Sequence, residues 1–215
     1  MGNRVAIIGG ALDPIHNGHI AMAEATIRHG YDEVWFMPCY QSMFGKEMTP
    51  AYHRLMMCHA AAMGCNDKIK VCDWEIRHKF IGGTIDFWNK FIRPFEIAAV
   101  NTTLLHPEFT FVIGMDNALC IDKWKDSKEL LELARFLVIA RPGYQAPDNA
   151  WFIKWPHDYL HVETPDISSS QIRKGNARAL AVSGSESIEW FMDKLGKQVP
   201  LNVMGYIHAY DLYQR

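Results

Sequence analysis

Two histidines lie three residues apart in the segment GGALDPIHNGHI, directly after a short apolar run. Gly9 and Gly10 allow a ligand to approach the backbone closely, and Asp13 followed by proline favours a turn. If a helix begins here, His16 and His19 share one face of it. They would then lie beside unpaired backbone N–H groups and the positive end of the helix dipole, which favour a phosphate group. The segment therefore predicts a nucleotide-phosphate site without a nucleophile.

Other interpretations of this segment are less specific. An H-x-x-H spacing alone also describes two surface histidines, and a zinc site would need a third ligand that is not nearby. The dinucleotide fingerprint G-x-G-x-x-G is absent. Cys58, Cys65 and Cys72 recur every seven residues, but they fall on a predicted helix and a predicted strand. We therefore expect no metal site made of protein side chains.

Further polar and aromatic side chains follow later apolar segments. In VIGMDNALCIDKW, Gly114 permits tight passage of the chain, Asp116 can accept hydrogen bonds from ribose hydroxyls, and Trp124 offers a plane for stacking. The segment IARPG presents Arg141. Alone, Asp116 could equally cap a helix and Trp124 could be a core aromatic. Their position at successive strand ends is what favours a binding site.

The segment DISSSQIR predicts a second helix start close to the same place. Ser168 to Ser170 form a cluster of capping residues, and Arg173 projects from the first turns. A helix N-terminus and a guanidinium both suit a polyphosphate, although Arg173 alone could be a solvated helix charge.

Strands and helices alternate along the chain. Six segments predict strands, namely RVAIIGG, DEVWFMP, KIKVCD, FTFVIG, ARFLVIA and DYLHVE. Helical segments separate them, with Thr49 as the expected cap of the second and Pro94 expected to break or kink the third. The pattern predicts an α/β fold, a Rossmann-like doubly wound parallel sheet with helices on both faces and a helical C-terminal segment. Ligands bind such sheets at the carboxyl ends of the strands, beside a switch in strand order.

Composition limits the remaining classes. The 215 residues include 22 Lys and Arg against 24 Asp and Glu, a net charge of −2. This balance argues against broad binding to a nucleic acid polymer or an anionic membrane. The five cysteines contain no C-x-x-C pair and no signal segment is evident, so we expect a cytoplasmic protein without disulfides. No linker interrupts the chain, which predicts a single domain over residues 1–215.

The segment GGALDPIHNGHI resembles the G-G-x-F-D-P-x-H-x-G-H motif of the H-x-G-H nucleotidylyltransferases, with Leu12 in place of phenylalanine. Three further motifs narrow the resemblance to bacterial nicotinate/nicotinamide mononucleotide adenylyltransferases. In chain order they are G-x-D followed by a tryptophan, R-P-G, and I-S-S-S-Q-I-R, in which Ser170 stands in place of threonine. The stretch FGKEMTPAYHRLMM, which contains Lys46 and Arg54, and the C-terminal GYIHAYDLY agree with this family. The resemblance spans essentially the whole chain.

This resemblance implies transfer of AMP from ATP to the 5′-phosphate of a pyridine mononucleotide, with Mg²⁺ carried by ATP. The implied catalytic residues are His16, His19, Lys46 and Arg173. The implied ATP-binding residues are Gly9, Gly10, Ala11, His16, His19, Gly114, Asp116, Ile167, Ser168, Ser169 and Arg173. The implied mononucleotide-binding residues are Lys46, Thr84, Trp124 and Arg141, with Trp124 stacked on the pyridine ring.

One region departs from the family. A Tyr-Thr pair is common there before the helix that follows the third strand, whereas this chain keeps Thr84 but has Gly83 before it. The stretch from Thr84 to Gly114 is also longer than usual. We expect this to alter a wall of the pyridine pocket; the alternatives are that the extra length serves a subunit contact instead, or simply packs. Another phosphorylated acceptor, such as phosphopantetheine, and a non-catalytic NAD-sensing module are the alternative functions. The preference between nicotinate and nicotinamide mononucleotide and the formation of a homo-oligomer stay open.

Overall fold

A computed structural model describes residues 2–98, 106–140, 143–162, 165–175 and 196–214, together with the backbone of residues 99–100 and 176–180. Its parallel sheet has the strand order β3-β2-β1-β4-β5-β6. The strands are β1 (Arg4–Gly10), β2 (Glu33–Pro38), β3 (Ile69–Val71), β4 (Glu108–Gly114), β5 (Arg135–Ile139) and β6 (Asp158–Leu160). This confirms the predicted Rossmann-like α/β fold, and every predicted strand is present.

Helices connect and follow these strands. They are α1 (Asn17–Arg28), α2 (Ala51–Ala62), α3 (Trp74–Arg77), α4 (Thr84–Phe87), α5 (Arg93–Val100), α6 (Met115–Ala118), α7 (Ser127–Leu133), α8 (Ser169–Leu180) and α9 (Leu201–Ala209). Short 3₁₀ turns cover Ile121–Lys123 and Trp151–Ile153. No helix in this part of the chain is long and apolar enough to cross a membrane.

Strand β1 lies at the centre of the sheet and pairs with both β2 and β4. Its alternate side chains enter two separate core clusters, Ala6 and Ile8 on one face and Val5 and Ile7 on the other. Burial on both faces explains why this strand reads as a continuous apolar run. The strand order switches direction at β1, because β2 and β3 lie on one side of it and β4, β5 and β6 on the other. The carboxyl end of β1 carries Gly9 and Gly10.

Helix α9 packs on the same core as the sheet. Val203 and Ile207 of α9 belong to the buried cluster that contains Ala6 and Ile8, and α9 contacts α2. This packing agrees with a single domain over residues 1–215, which stays a prediction. Residues 182–187, whose sequence VSGSES predicts a Gly/Ser interruption of the helical C-terminal segment, lie outside the described residues.

The predicted cap of the second helix is wrong. Helix α2 begins after Pro50, and its N-terminus has no side-chain cap. Thr49 instead uses its backbone, because its N–H donates to Asp13 Oδ2 at 3.1 Å and its carbonyl accepts from Arg54 Nε at 2.8 Å. These tertiary contacts hold the Thr49 backbone outside the helix.

The predicted effect of Pro94 takes the form of a π-helical turn over Trp88–Ile92, directly before α5. A proline has no N–H to donate, and its ring clashes with the carbonyl four residues earlier in a regular helix. The wider turn avoids this clash and leaves Pro94 in the first turn of α5, where proline is tolerated. The rings of Phe91 and Phe95 contact Phe109 at centroid distances of 6.0 and 5.8 Å, so this longer segment packs on the sheet.

Candidate active site

A cavity of about 790 Å³ opens at the carboxyl ends of the strands. Such a volume suits a small-molecule or nucleotide ligand. Most of the predicted site residues line this one cavity. They are Gly9, Gly10, Ala11, His16, His19, Lys46, Thr84, Gly114, Asp116, Trp124, Ile167, Ser168 and Ser169.

The side chains of His16 and His19 both accept hydrogen bonds from backbone N–H groups at the N-terminus of helix α1. Nδ1 of His16 accepts from the Gly18 N–H at 3.2 Å, and Nδ1 of His19 accepts from the His16 N–H at 3.2 Å. A nitrogen that accepts from a backbone N–H carries no proton, so each neutral ring has its proton on Nε2. The ring centroids are 3.8 Å apart and both residues line the cavity. Reciprocal capping thus holds both rings on one wall of the cavity and leaves Nε2 as the protonated nitrogen of each neutral ring.

Gly18 makes this arrangement sterically feasible. A Cβ atom at Gly18 would lie 2.9 Å from Cε1 and 3.0 Å from Nδ1 of His16. His16 is itself only 6% exposed, so its ring has little room to move. The glycine between the histidines is therefore required by the position of the His16 ring.

A second helix N-terminus reaches the same cavity. Ser168 Oγ accepts from the Gln171 N–H at 3.2 Å, and Gln171 Oε1 accepts from the Ser168 N–H at 3.0 Å, which is a capping box. Ser169 Oγ donates to the carbonyl of Pro14 at 3.0 Å and attaches the start of α8 to the loop after β1. The positive ends of α1 and α8 therefore converge on one space, which favours an anion.

Arg173, in helix α8, is not among the residues that line the cavity. Its guanidinium donates to the carbonyl of Asp13 and, at 3.2 Å, to Ser170 Oγ. The structure thus shows Arg173 holding the loop after β1 against α8. Arg141, the remaining predicted mononucleotide contact, lies outside the described residues.

Asp116 and Trp124 occupy other walls of the cavity. A Cβ atom at Gly114 would lie 2.7 Å from Asp116 Oδ1, so the carboxylate folds back over the Gly114 backbone. Trp124 is half-buried, and its ring meets the edge of Phe136 at a centroid distance of 6.4 Å. Trp124 thus packs against the core on one side and lines the cavity.

Arg54 is a buried anchor that sequence reasoning did not identify as such. It is 1% exposed, and its guanidinium donates to the carbonyls of Thr49, Ala11 and Tyr40 at 2.8, 2.8 and 3.0 Å. It therefore joins the loops that follow β1 and β2. Only the tertiary structure brings these three carbonyls together.

Glu75 is a further cavity residue that the sequence did not indicate. It accepts from the Tyr40 N–H at 3.3 Å and lines the cavity. Burial raises the pKa of this carboxyl to about 7, although the Tyr40 N–H and the charge of Arg54 act in the opposite direction. The local sequence around Glu75, a short segment between a predicted strand and a predicted helix, does not indicate that this carboxyl is buried.

Comparison with known proteins assigns the chain to a family. Residues 7–175 match the family model described as cytidylyltransferase-like. A probable nicotinate-nucleotide adenylyltransferase of Myxococcus xanthus is 31% identical over 98% of this chain and 94% of that protein. One from Nocardioides is 32% identical over 97% of this chain and 93% of its own length.

A solved structure shares the fold. Nicotinic acid mononucleotide adenylyltransferase of Plasmodium falciparum, complexed with NaAD, superposes with a TM-score of 0.72 at 23% identity. The match covers 98% of this chain and 97% of that one. The chain therefore belongs to the cytidylyltransferase-like family and, within it, to the nicotinate-nucleotide adenylyltransferases, which are nucleotidyltransferases of NAD biosynthesis.

Proposed function

We propose that this protein transfers AMP from ATP to the 5′-phosphate of nicotinate mononucleotide. The observation that carries the proposal is the convergence of two helix N-termini and two histidine donors on one cavity that also contains a tryptophan. The names of the relatives from Myxococcus xanthus and Nocardioides support nicotinate mononucleotide as the acceptor.

The reaction needs no nucleophile from the protein. An oxygen of the acceptor phosphate attacks the α-phosphorus of ATP, and the bond from that phosphorus to the bridging oxygen breaks. The electron pair leaves with pyrophosphate, and the mononucleotide phosphate becomes part of the new dinucleotide. A phosphate monoester is largely ionised at pH 7, so catalysis consists of orientation and stabilisation of charge.

In this proposal the Nε2–H groups of His16 and His19 donate to oxygens of the transferred phosphoryl group. Their Nδ1 atoms are engaged with the α1 backbone, so the donors keep their direction during the reaction. The N-terminus of α8 at Ser168 and Ser169 accommodates the remaining phosphates. Arg173 holds α8 against the loop that carries the histidines.

The other predicted residues complete the two substrate sites. Gly9, Gly10, Ala11, Gly114 and Ile167 shape the ATP site through their backbone, and Asp116 accepts from the ribose hydroxyls. Lys46 neutralises phosphate charge, Thr84 lines the pyridine pocket and Trp124 stacks on the ring.

Mg²⁺ is proposed to enter with the triphosphate. Within the part of the chain that the structure describes, no group of three or more His, Cys, Asp or Glu side chains could hold a metal ion. Magnesium usually keeps several waters and is bound largely through substrate phosphates, so its proposed place is on the triphosphate itself. Bound there, the ion supplies charge neutralisation of the phosphates.

Pyrophosphate release tests the proposal. The protein is assayed with Mg²⁺ and ATP or CTP against nicotinate mononucleotide, nicotinamide mononucleotide and phosphopantetheine. We expect the highest kcat/KM with ATP and nicotinate mononucleotide, together with formation of the dinucleotide. Pyrophosphate release that favours phosphopantetheine, or none with either mononucleotide, would overturn the proposed function.

A further inference from the structure

The wall of the cavity around Gly83 is closed by a charged pair. The Gly83 N–H donates to Asp86 Oδ2 at 2.8 Å, so the Asp86 carboxylate caps helix α4. Its other oxygen, Oδ1, accepts from the Lys125 ammonium at 2.7 Å. Lys125 lowers the pKa of Asp86, which therefore stays a carboxylate. The pair links the start of α4 to the segment that carries Trp124.

The stem of Lys125 covers the exposed side of Gly83. A Cβ atom at Gly83 would lie 3.4 Å from Cβ and 3.8 Å from Cδ of Lys125. The lysine therefore fills the space that a larger residue at position 83 would need. Its ammonium is positioned by the ion pair with Asp86.

The ammonium of Lys125 is placed to meet a second anion. Lys125 lines the same cavity as Trp124, Thr84 and Gly83, and its side chain is 49% exposed. An ammonium group has three N–H donors, and the bond to Asp86 uses one. The Gly83 N–H is already donated to Asp86, so a ligand cannot use it while the cap is formed. Lys125 is thus a cationic group at this part of the wall.

We infer that Lys125, positioned by Asp86 against Gly83, is a specificity-determining residue that favours a carboxylate over a carboxamide on the pyridine ring. This inference rests on the proposed function, in which that ring stacks on the neighbouring Trp124. A nicotinate carboxylate would form a charge-assisted hydrogen bond with the ammonium, whereas a nicotinamide group has no negative charge to pair.

Other charges at this cavity limit the size of the effect. Asp86 partly neutralises Lys125, Lys123 lines the same cavity and Glu75 is on another of its walls. Lys90 also acts on Asp86. Because Lys125 is exposed to solvent, its preference for the carboxylate should be about tenfold in kcat/KM rather than absolute.

The test compares Lys125→Met, Lys125→Arg and the wild type with both mononucleotides. Methionine keeps an unbranched stem beside Gly83 and removes the charge. We expect Lys125→Met to lower the ratio of kcat/KM for nicotinate to that for nicotinamide about tenfold, through a higher KM for the nicotinate substrate. Lys125→Arg restores the charge and should keep the ratio within about threefold of the wild type.

Lys128→Met is the matched control, because Lys128 is exposed on α7 and does not line the cavity. It should leave the ratio unchanged. If Lys125→Met leaves the ratio unchanged, or changes kcat/KM equally for both substrates, the specificity role is refuted while the proposed function stands. A wild type inactive with both mononucleotides refutes the proposed function itself and this inference with it.

Discussion

The phenol of Tyr213 donates a 2.6 Å hydrogen bond to Oδ1 of Asp13, 200 residues earlier in the chain. Asp13 is 1% exposed, and its other carboxylate oxygen accepts from the Thr49 N–H. Burial, followed by the neighbouring Asp13 charge, raises the pKa of Tyr213 above its usual range, so the phenol remains a donor. The C-terminal segment is thereby fixed to the loop that carries His16.

Replacing Tyr213 by phenylalanine should destabilise the protein by about 1–3 kcal/mol, because a buried carboxylate loses a donor. The free energy of unfolding in urea measures this change. Tyr210→Phe is the control, since Tyr210 is on the surface next to α9 and 53% exposed. Equal destabilisation by the two substitutions would show that the bond to Asp13 contributes nothing specific.

Gly18→Ala should reduce kcat about 10²-fold with little loss of secondary structure. The new methyl group would displace the His16 ring, and small displacements of a catalytic group cost this much in rate. Steady-state kinetics and circular dichroism give the two quantities.

Gly175→Ala is the matched control for this substitution. Gly175 lies within α8, and a Cβ atom there would meet no other part of the described chain within 4 Å. Alanine at this position should stabilise the protein by about 0.5–1 kcal/mol. A Gly18→Ala variant with wild-type kcat would contradict the steric role of Gly18.

His19→Ala should lower kcat about 10²–10³-fold, since it removes one oriented donor to the transferred phosphoryl group. It also removes the acceptor for the His16 N–H. Single-turnover measurement of dinucleotide formation separates this loss from any change in ATP binding. His59→Ala, at an exposed position on α2, should retain wild-type kcat, and a fully active His19→Ala variant would exclude the proposed role.

Glu75→Gln should change how stability depends on pH. The pKa of Glu75 is raised from 4.5 to about 7 in the folded protein, so folding favours its protonated form. Its contribution to the free energy of unfolding is therefore complete below pH 4.5 and declines as the pH rises to about 7. Between these two pH values the free energy of unfolding of the wild type should fall by about 1–3 kcal/mol relative to that of Glu75→Gln.

Urea unfolding of both proteins at several pH values measures this difference. Glu132→Gln, on the exposed side of α7, is the control for removing a carboxyl group. A difference between the wild type and Glu75→Gln that is constant from pH 4.5 to 7 would show that the carboxyl titrates normally.

The sequence by itself determined the fold class and most of the cavity wall. Continuous apolar runs such as Val5–Ile8 indicate strands that are buried on both faces, and alternation with helices requires parallel strands. The carboxyl ends of parallel strands meet at one edge of the sheet. Residues that follow different strands, such as His16, Asp116 and Ser168, could therefore be assigned to one site without coordinates.

Only the tertiary structure decided how these side chains are held. Long-range hydrogen bonds join segments whose relative positions depend on packing. They run from Arg54 to three carbonyls, from Tyr213 to Asp13 and from Lys125 to Asp86. The pKa of Glu75 likewise depends on burial, which no local pattern records. Local spacing specifies which residues can reach the edge of the sheet, whereas long-range contacts specify their orientation and protonation, because both depend on the atoms that surround them.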